Sequence, residues 1–354
     1  MKKRQSNFEI LRILAMFCIV MGHSMTHGTL LNTGNDLSNI KFILFRFLAY
    51  NGKIGVYLFI LISGYFMIYS TISVKKIVKL WLPVFFWSVF LTTVVGKIIG
   101  QFSYKDFALS FIPIISNRYW FVSTYIFLYL LIPVINKVIL FLSIKLEFLI
   151  ILVGAATIFP SHYLYGSNVN SWLFSFCFTY SLGAIIRKRK LLQNEKNKMI
   201  GRVFLVIGAL CNFMSTIVIT FARNSTPIFN KLSMFLQQET LFCLFIAVGL
   251  FVLLGSKSVP YNRFINTIAS TTFGIYLIHD NGYVGKLLWI DILHMNQLKY
   301  STLQSILYVF ICVIMIFMVC SLLEIIRKKV FGRLEISVLT QIEKMTEKFL
   351  LKNT

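Results

Sequence analysis

Apolar residues occupy ten long stretches of the chain, and short polar segments separate them. Most of these stretches are long enough to cross about 30 Å of hydrocarbon as an α-helix. We therefore predict an all-α fold, a polytopic transmembrane helical bundle of about ten spans, with no internal repeat of the transporter kind. The predicted spans are 8–27, 54–72, 80–99, 119–140, 146–163, 170–187, 202–222, 235–254, 264–281 and 302–326. The segment IKFILFRFLAYNGK before the second span is predicted to be interfacial or re-entrant.

Lysine and arginine are distributed unevenly between the two sides of this bundle. With an even number of spans the two ends share a side, and 24 of the 35 basic residues fall there, against 10 on the other side. Cytoplasmic segments carry an excess of Lys and Arg, so both termini are predicted to be cytoplasmic. Residues 1–326 are predicted to form one integral membrane domain. Residues 327–354 form a basic cytoplasmic tail, either an amphipathic helix or a simple polar extension.

The composition excludes several classes of function. The chain is 57% hydrophobic and only 13% charged, and its mean hydropathy is +0.78. The net charge of +23 is accounted for by topology and by anionic membrane lipids, so no nucleic-acid partner is expected. All six cysteines lie in apolar segments without metal-ligand spacing. Neither a disulfide framework nor a metal site is expected.

The first predicted span carries three ionisable side chains, Glu9, Arg12 and His23. A charged residue at the centre of a span costs about 2.5–3.5 kcal/mol, so such a residue is a candidate functional group. On a helix Arg12 and His23 lie on one face, about 16 Å apart along the axis, and Glu9 is within pairing distance of Arg12. Two interpretations remain open. The face lines a polar path, or it holds an interfacial ion pair and a satisfied core histidine.

Three later segments carry further candidate groups. A basic cluster precedes the third span. Either the cytoplasmic location of this segment or the binding of an anionic phosphate ligand would explain the cluster. The fourth span has a Trp at its end, typical of an aromatic belt, and hydroxyl groups deeper inside. The ninth span ends in a His-Asp pair, which the topology puts level with His23. The candidate side chains are Lys75, Lys76, Lys79, Trp120, Ser123, Tyr125, His279 and Asp280.

Five segments, in order, resemble the acyltransferase-3 family of integral membrane O-acyltransferases. They are NFEILRILAM, whose Arg12 is followed after ten residues by His23; FILISGYF; the basic cluster before a proline; the WF…Y…P span; and TFGIYLIH. The resemblance extends from about Asn7 to Glu324. Family members often carry arginine where this chain has Lys76 and Lys79, and lysine lacks the planar fork that binds phosphate with two bonds. No extra esterase-like domain of the kind fused to some relatives is expected from this sequence.

This resemblance implies transfer of an acyl group, usually acetyl, from cytoplasmic acyl-CoA to a hydroxyl of a cell-surface or lipid-linked glycan at the plasma membrane. Acetyl-CoA is then the co-substrate, and no metal is required. His23 is the best candidate for the base that takes the hydroxyl proton, since an unperturbed histidine titrates near pH 6.5. His279 is a second base, an orienting group or an acceptor ligand. Arg12, Lys75, Lys76 and Lys79 are candidates for binding the CoA phosphates. The supporting residues are Glu9, Trp120, Ser123, Tyr125 and Asp280.

Two other classes of function are compatible with the sequence. In a transporter or flippase for a glycan precursor, the buried ionisable groups would form a substrate or proton pathway, and no thioester would be consumed. In a scaffold of a polymer-assembly complex, replacing His23 would have no effect. Within the acyltransferase interpretation, direct transfer and an acyl-histidine intermediate are both open.

Overall fold

The computed structural model describes residues 6–28, 30–31, 38–165, 169–222, 227–228, 241–298 and 300–352. The protein is 85% helical, and the described residues contain no strand. The helices are α1 (Ser6–Thr26), α2 (Asn39–Ala49), α3 (Asn51–Met67), α4 (Val74–Ile98), α5 (Tyr104–Ser110), α6 (Trp120–Phe141), α7 (Ile144–Tyr165), α8 (Val169–Lys188), α9 (Glu195–Ala222), α10 (Leu241–Gly255), α11 (Arg263–His279), α12 (Gly282–Lys286) and α13 (Thr302–Lys352).

Each of the ten predicted spans overlaps one long helix of the structure. Residues 235–240, at the start of the eighth predicted span, lie outside the described residues. Within the described part of the chain, six helical stretches are long and apolar enough to cross a membrane. They are Ser6–Thr26, Asn39–Met67, Val74–Ile98, Trp120–Phe141, Glu195–Ala222 and Thr302–Lys348. The count of ten spans and the cytoplasmic ends stay predictions.

Two boundaries differ in detail from the sequence pattern. The segment before the second span is helical, and α2 and α3 follow each other with Tyr50 between them. At the other end of the chain, α13 continues without a break through the predicted domain boundary at residue 326. The last span and the basic tail are therefore one helix. The tail returns to the bundle at Glu343, which accepts a hydrogen bond of 2.5 Å from Lys75.

The first helix occupies the centre of the bundle, where α2, α3, α10, α11 and α13 pack around it. It crosses α3 closely at Gly22 and Gly52. A Cβ atom on Gly22 would lie 2.5 Å from the Cα of Gly52. Small residues at such a crossing let two backbones approach within contact distance. Because Gly22 adjoins His23, this crossing fixes the position of the His23 end of α1 relative to the neighbouring helices.

The start of α1 is held by the segment between α10 and α11. The Ser6 hydroxyl accepts a hydrogen bond from the backbone N–H of Asn262, and the Asn7 amide donates to the carbonyl of Gly255, both at 2.9 Å. The predicted topology assigns this segment and the N-terminus to the same side. The two meet at one end of the bundle, as that assignment requires.

Single-cysteine labelling tests which side this is. In a variant without the six native cysteines, we expect a membrane-impermeant maleimide to label Tyr104→Cys in intact cells. Tyr104 is 84% exposed at the opposite end. Glu195→Cys, at a side chain that is 82% exposed, should react only after the membrane is permeabilised. Labelling of Glu195→Cys in intact cells would show that the predicted orientation is wrong.

Candidate active site

Two histidines from helices far apart in the sequence meet near the end of α1. The Nδ1 atom of His23 lies 2.9 Å from the Nε2 atom of His279. The Nδ1 atom of His279 lies 2.6 Å from the carbonyl oxygen of Ile275, one turn earlier on α11. The predicted topology puts the two histidines at the same height in the bundle, and in the structure they are in direct contact.

The Ile275 carbonyl determines the tautomers of both rings. A carbonyl can only accept, so Nδ1 of His279 carries the proton and Nε2 is left as an acceptor. His23 then donates through Nδ1, and its own Nε2 keeps a free lone pair. His279 is completely buried, whereas the His23 side chain is 17% exposed. The arrangement leaves a lone pair on Nε2 of His23 and places His279 where it can orient the His23 ring.

Asp280 and His27 extend this cluster. One Asp280 carboxylate oxygen lies 3.4 Å from Nδ1 of His23 and 3.1 Å from Nε2 of His27. The rings of His23 and His27 are 4.7 Å apart, edge to face. His27 is not among the candidates predicted from the sequence. Its position four residues after His23, and thus on the same helix face, is the signal that could have found it.

The same cluster has the ligand types of a metal site. His23, His27 and Asp280 offer ligand atoms within 4.8 Å of one another, and imidazole with carboxylate suits zinc or another transition metal. In the geometry described, however, Nδ1 of His23 is the atom that donates to His279. In the structure described, His23, His27, His279 and Asp280 form one hydrogen-bonded network.

Arg12, at the other end of α1, lies at the edge of two adjoining cavities. It forms an ion pair with Glu9, whose side chain is 4% exposed, while that of Arg12 is 30% exposed. The larger cavity, of about 530 Å³, is lined by Glu9, Arg12 and Tyr125 among others. The second, of about 500 Å³, shares Arg12 and Tyr125 and adds Lys76 and Lys79.

The remaining predicted residues separate into two groups. Tyr125 shares a hydrogen bond with Ser63, and the ring of Trp120 lies 4.7 Å from that of Trp172; both predicted residues line cavities. Lys75 and Ser123 do not line these cavities. Lys75 is paired with Glu343, and the Ser123 hydroxyl donates to the Ile114 carbonyl at 2.9 Å. Lys75 and Ser123 therefore have structural contacts that a sequence pattern does not reveal.

Three aromatic rings connect the Arg12 cavity with the histidines. Phe59, Phe121 and Phe273 line the large cavity and also a small apolar chamber of about 50 Å³, whose wall includes His23. Behind the histidine pair lies a further cavity of about 430 Å³, lined by His27, His279 and Asp280 among others. The histidine pair thus lies between cavities that open toward opposite ends of the bundle.

Lys53 is a second group that sequence reasoning missed. Its ammonium lies 3.6 Å from the ring centroid of Trp172 and 4.9 Å from that of Trp120. Cation–π contacts of this kind hold a positive charge over aromatic faces. Trp120 lines the small chamber with His23, so the lysine stabilises one wall of that chamber.

A family model described as an acyltransferase domain matches residues 5–325. The match includes both histidines, Arg12 and every cavity described above. Neither a curated protein nor a solved structure matches the chain.

The tautomers can be tested without any substrate. In purified protein labelled with ¹⁵N-histidine, we expect His23 and His279 both to carry their proton on Nδ1, as the Ile275 carbonyl requires. The variant His279→Leu should lose one of these signals and change the other, because His23 loses its acceptor. His294→Gln, outside the cluster, should leave both unchanged. A proton on Nε2 of His23 would contradict the assignment.

Proposed function

The chain belongs to the acyltransferase-3 family, and we propose on that basis that it transfers an acetyl group from cytoplasmic acetyl-CoA to a hydroxyl of a cell-surface or lipid-linked glycan. Family membership and its apolar helices make it a multi-pass membrane acyltransferase. The acetyl donor, the glycan acceptor and a location in the plasma membrane are parts of the proposal.

One observation carries the proposal. The hydrogen-bonded pair of His23 and His279 separates a cavity that contains Arg12 from a cavity at the opposite end of the bundle. A transferase that joins a donor from one side of a membrane to an acceptor on the other needs this arrangement, with a base where the two meet. The cavities supply the two entrances, and Nε2 of His23 supplies the base.

The donor would occupy the cavities at the Arg12 end. Arg12, Lys76 and Lys79 line the cavity of about 500 Å³, and three cations suit the phosphates of a CoA molecule. Arg12 is partly neutralised by Glu9, so the two lysines supply the excess positive charge. Because lysine acts as a point charge, we expect them to attract the phosphates more than to orient them.

In the proposed reaction, Nε2 of His23 takes the proton of the acceptor hydroxyl. The hydroxyl oxygen attacks the thioester carbonyl carbon, the C–S bond breaks, and the CoA sulfur leaves with the proton that His23 returns. His279 accepts the hydrogen bond from Nδ1 of His23 throughout the reaction and so orients that ring, while its own Nδ1 keeps its proton and donates a hydrogen bond to the Ile275 carbonyl. Asp280, 3.4 Å from His23, offsets the positive charge that develops on the ring.

The small chamber supports acetyl as the transferred group. Its volume is about 50 Å³, and roughly 10–15 Å³ measured in this way accommodates one water molecule. The chamber thus holds roughly three to five water-sized groups, which is enough for a thioester carbonyl with a methyl group and too few for a long acyl chain. Met16, Ile19 and Val56 complete the wall, so the limit is set by apolar packing.

Substitutions at the two histidines distinguish base from orienting group. We expect His23→Gln to reduce ester formation about 10²–10⁴-fold, because the amide cannot take the proton. His279→Leu should lose about 10–100-fold, the usual effect of removing a group that orients an active-site ligand. His279→Gln should retain more activity than His279→Leu, since its amide oxygen can still accept from His23.

Ester formation, thioester consumption and thermal stability should be measured on the same purified variants. If His279→Gln is as inactive as His23→Gln, both rings take part directly, and the orienting role of His279 is wrong. A well-folded His23→Gln variant at wild-type rate would remove His23 from the mechanism. A wild-type protein that never consumes acetyl-CoA would contradict the proposed function and favour transport.

Chain-length selectivity gives a separate test. Ile19→Val removes one methyl group from the chamber wall and should raise the relative rate with propionyl-CoA about tenfold, the lower end of the effect of one methylene in an apolar pocket. Ile62→Val is the matched control, because Ile62 lines the large cavity but not the chamber. Equal propionyl-to-acetyl ratios in the two variants would mean that the chamber does not set acyl length.

A further inference from the structure

A second cavity adjoins the one behind the histidine pair. It measures about 450 Å³ and shares Asn281 and Gly282 with the cavity that contains His279. We call the cavity at His279 the near cavity and the second one the distal cavity. Asn281 fixes the ridge between them, since its amide donates to the Tyr119 hydroxyl and its oxygen accepts from the backbone N–H of Tyr283.

The distal cavity has a preformed polar lining. Asp106 accepts a hydrogen bond of 2.9 Å from the Tyr283 hydroxyl, and its other carboxylate oxygen lies 3.4 Å from the Arg118 guanidinium. Arg118 is held in turn by the backbone carbonyl of Asp106 at 2.5 Å and by the Thr92 hydroxyl at 3.0 Å. Gln101 and Ser116 complete the polar wall. Such a lining differs from the apolar surface of most of the bundle.

Charge and hydrogen bonding define what this lining can bind. Asp106 and Arg118 form a pair, so the two charged side chains of the distal cavity nearly cancel. Burial raises the pKa of the Tyr283 hydroxyl, and the hydrogen bond to Asp106 adds to this effect, which keeps the phenol a neutral donor. The wall contains both hydrogen-bond donors and acceptors, with the aromatic ring of Tyr283 beside them. An uncharged, hydroxyl-rich ring presents the matching pattern, whereas an ion would upset the existing pair.

We propose that the near and distal cavities form two consecutive sugar subsites, so that the acceptor is a glycan segment of at least two units. The sugar to be acetylated occupies the near cavity beside His279, and an uncharged neighbouring sugar occupies the distal cavity against Asp106, Arg118 and Tyr283. This inference rests on the proposed acetyl transfer. It adds that the enzyme recognises a chain of sugars and that the second sugar contributes binding without taking part in the chemistry.

The test uses the purified full-length protein, acetyl-CoA, and fragments of the host's own surface glycans. The glycans are taken from cells that lack the gene, partly hydrolysed, and separated into single units and segments of two or more units. The wild type should have at least a tenfold higher kcat/KM for the longer fragments. Asp106→Asn and Tyr283→Phe should each reduce this preference about tenfold through KM, as the loss of a hydrogen bond to a charged group predicts.

A steric variant provides independent evidence. An added Cβ on Gly282 meets nothing within 4 Å, so Gly282→Leu should fold normally while its side chain fills the floor that both cavities share. We expect it to raise the acceptor KM at least tenfold and to leave the Kd for acetyl-CoA unchanged. Gly332→Leu is the matched control, because Gly332 is equally open but lies on the extension of α13.

The outcomes separate this inference from the proposed function. If the wild type acetylates single units and longer fragments equally well, and Asp106→Asn and Tyr283→Phe do not change the ratio, the two-subsite inference is overturned while acetyl transfer stands. If the wild type consumes acetyl-CoA with none of the fragments, both are overturned. A preference for longer fragments that is lost in the two distal variants supports both.

Discussion

An ionisable side chain inside an apolar bundle must find a partner, because water does not reach it and an unpaired charge there costs several kcal/mol. Helix α1 carries such groups along one face and lies at the centre of the fold. Arg12 is satisfied by Glu9 on the same helix. His23 has to be satisfied from outside, and its partner, His279, comes from α11. The His23 side chain therefore has this hydrogen-bond partner only when α11 packs against α1.

The same constraint fixes α11 from its other side. Glu324 and Arg327 on α13 are 2% and 4% exposed, and the Glu324 carboxylate accepts 2.8 Å hydrogen bonds from Arg327 and from the indole of Trp87. Gly274 of α11 lies directly on this carboxylate, with no room for a Cβ atom. Breaking a buried pair of this kind is costly, since it leaves an uncompensated charge. Gly274 lies five residues before His279 on the same helix. The cluster therefore fixes the position of α11 close to His279 and places this histidine beside His23.

Periodicity and local spacing were enough to predict the helices and part of the site. The face shared by Arg12 and His23 follows from 3.6 residues per turn, and the level of His279 follows from counting spans. The cavities do not follow from such rules, because each is lined by side chains from several helices. Lys75 illustrates the limit. Its cluster suggested a phosphate contact, yet Lys75 is paired with Glu343, a residue 268 positions away. The pairing of Trp87 with Glu324, separated by 237 positions, was equally invisible in the sequence.

The division of the interior into chambers has a chemical consequence for the proposed transfer. A thioester beside a basic histidine is open to attack by water, which would waste the donor. A buried water molecule needs two to four polar partners, and the chamber beside His23 is lined by apolar and aromatic side chains apart from His23 and the edges of Trp120 and Tyr276. Water is therefore poorly held there, whereas in the proposed reaction the acceptor hydroxyl would approach His23 from the side of the cavity behind His279. In the proposed reaction, the aromatic constriction and the histidine pair would thus favour transfer over hydrolysis through the same packing that keeps this part of the bundle closed.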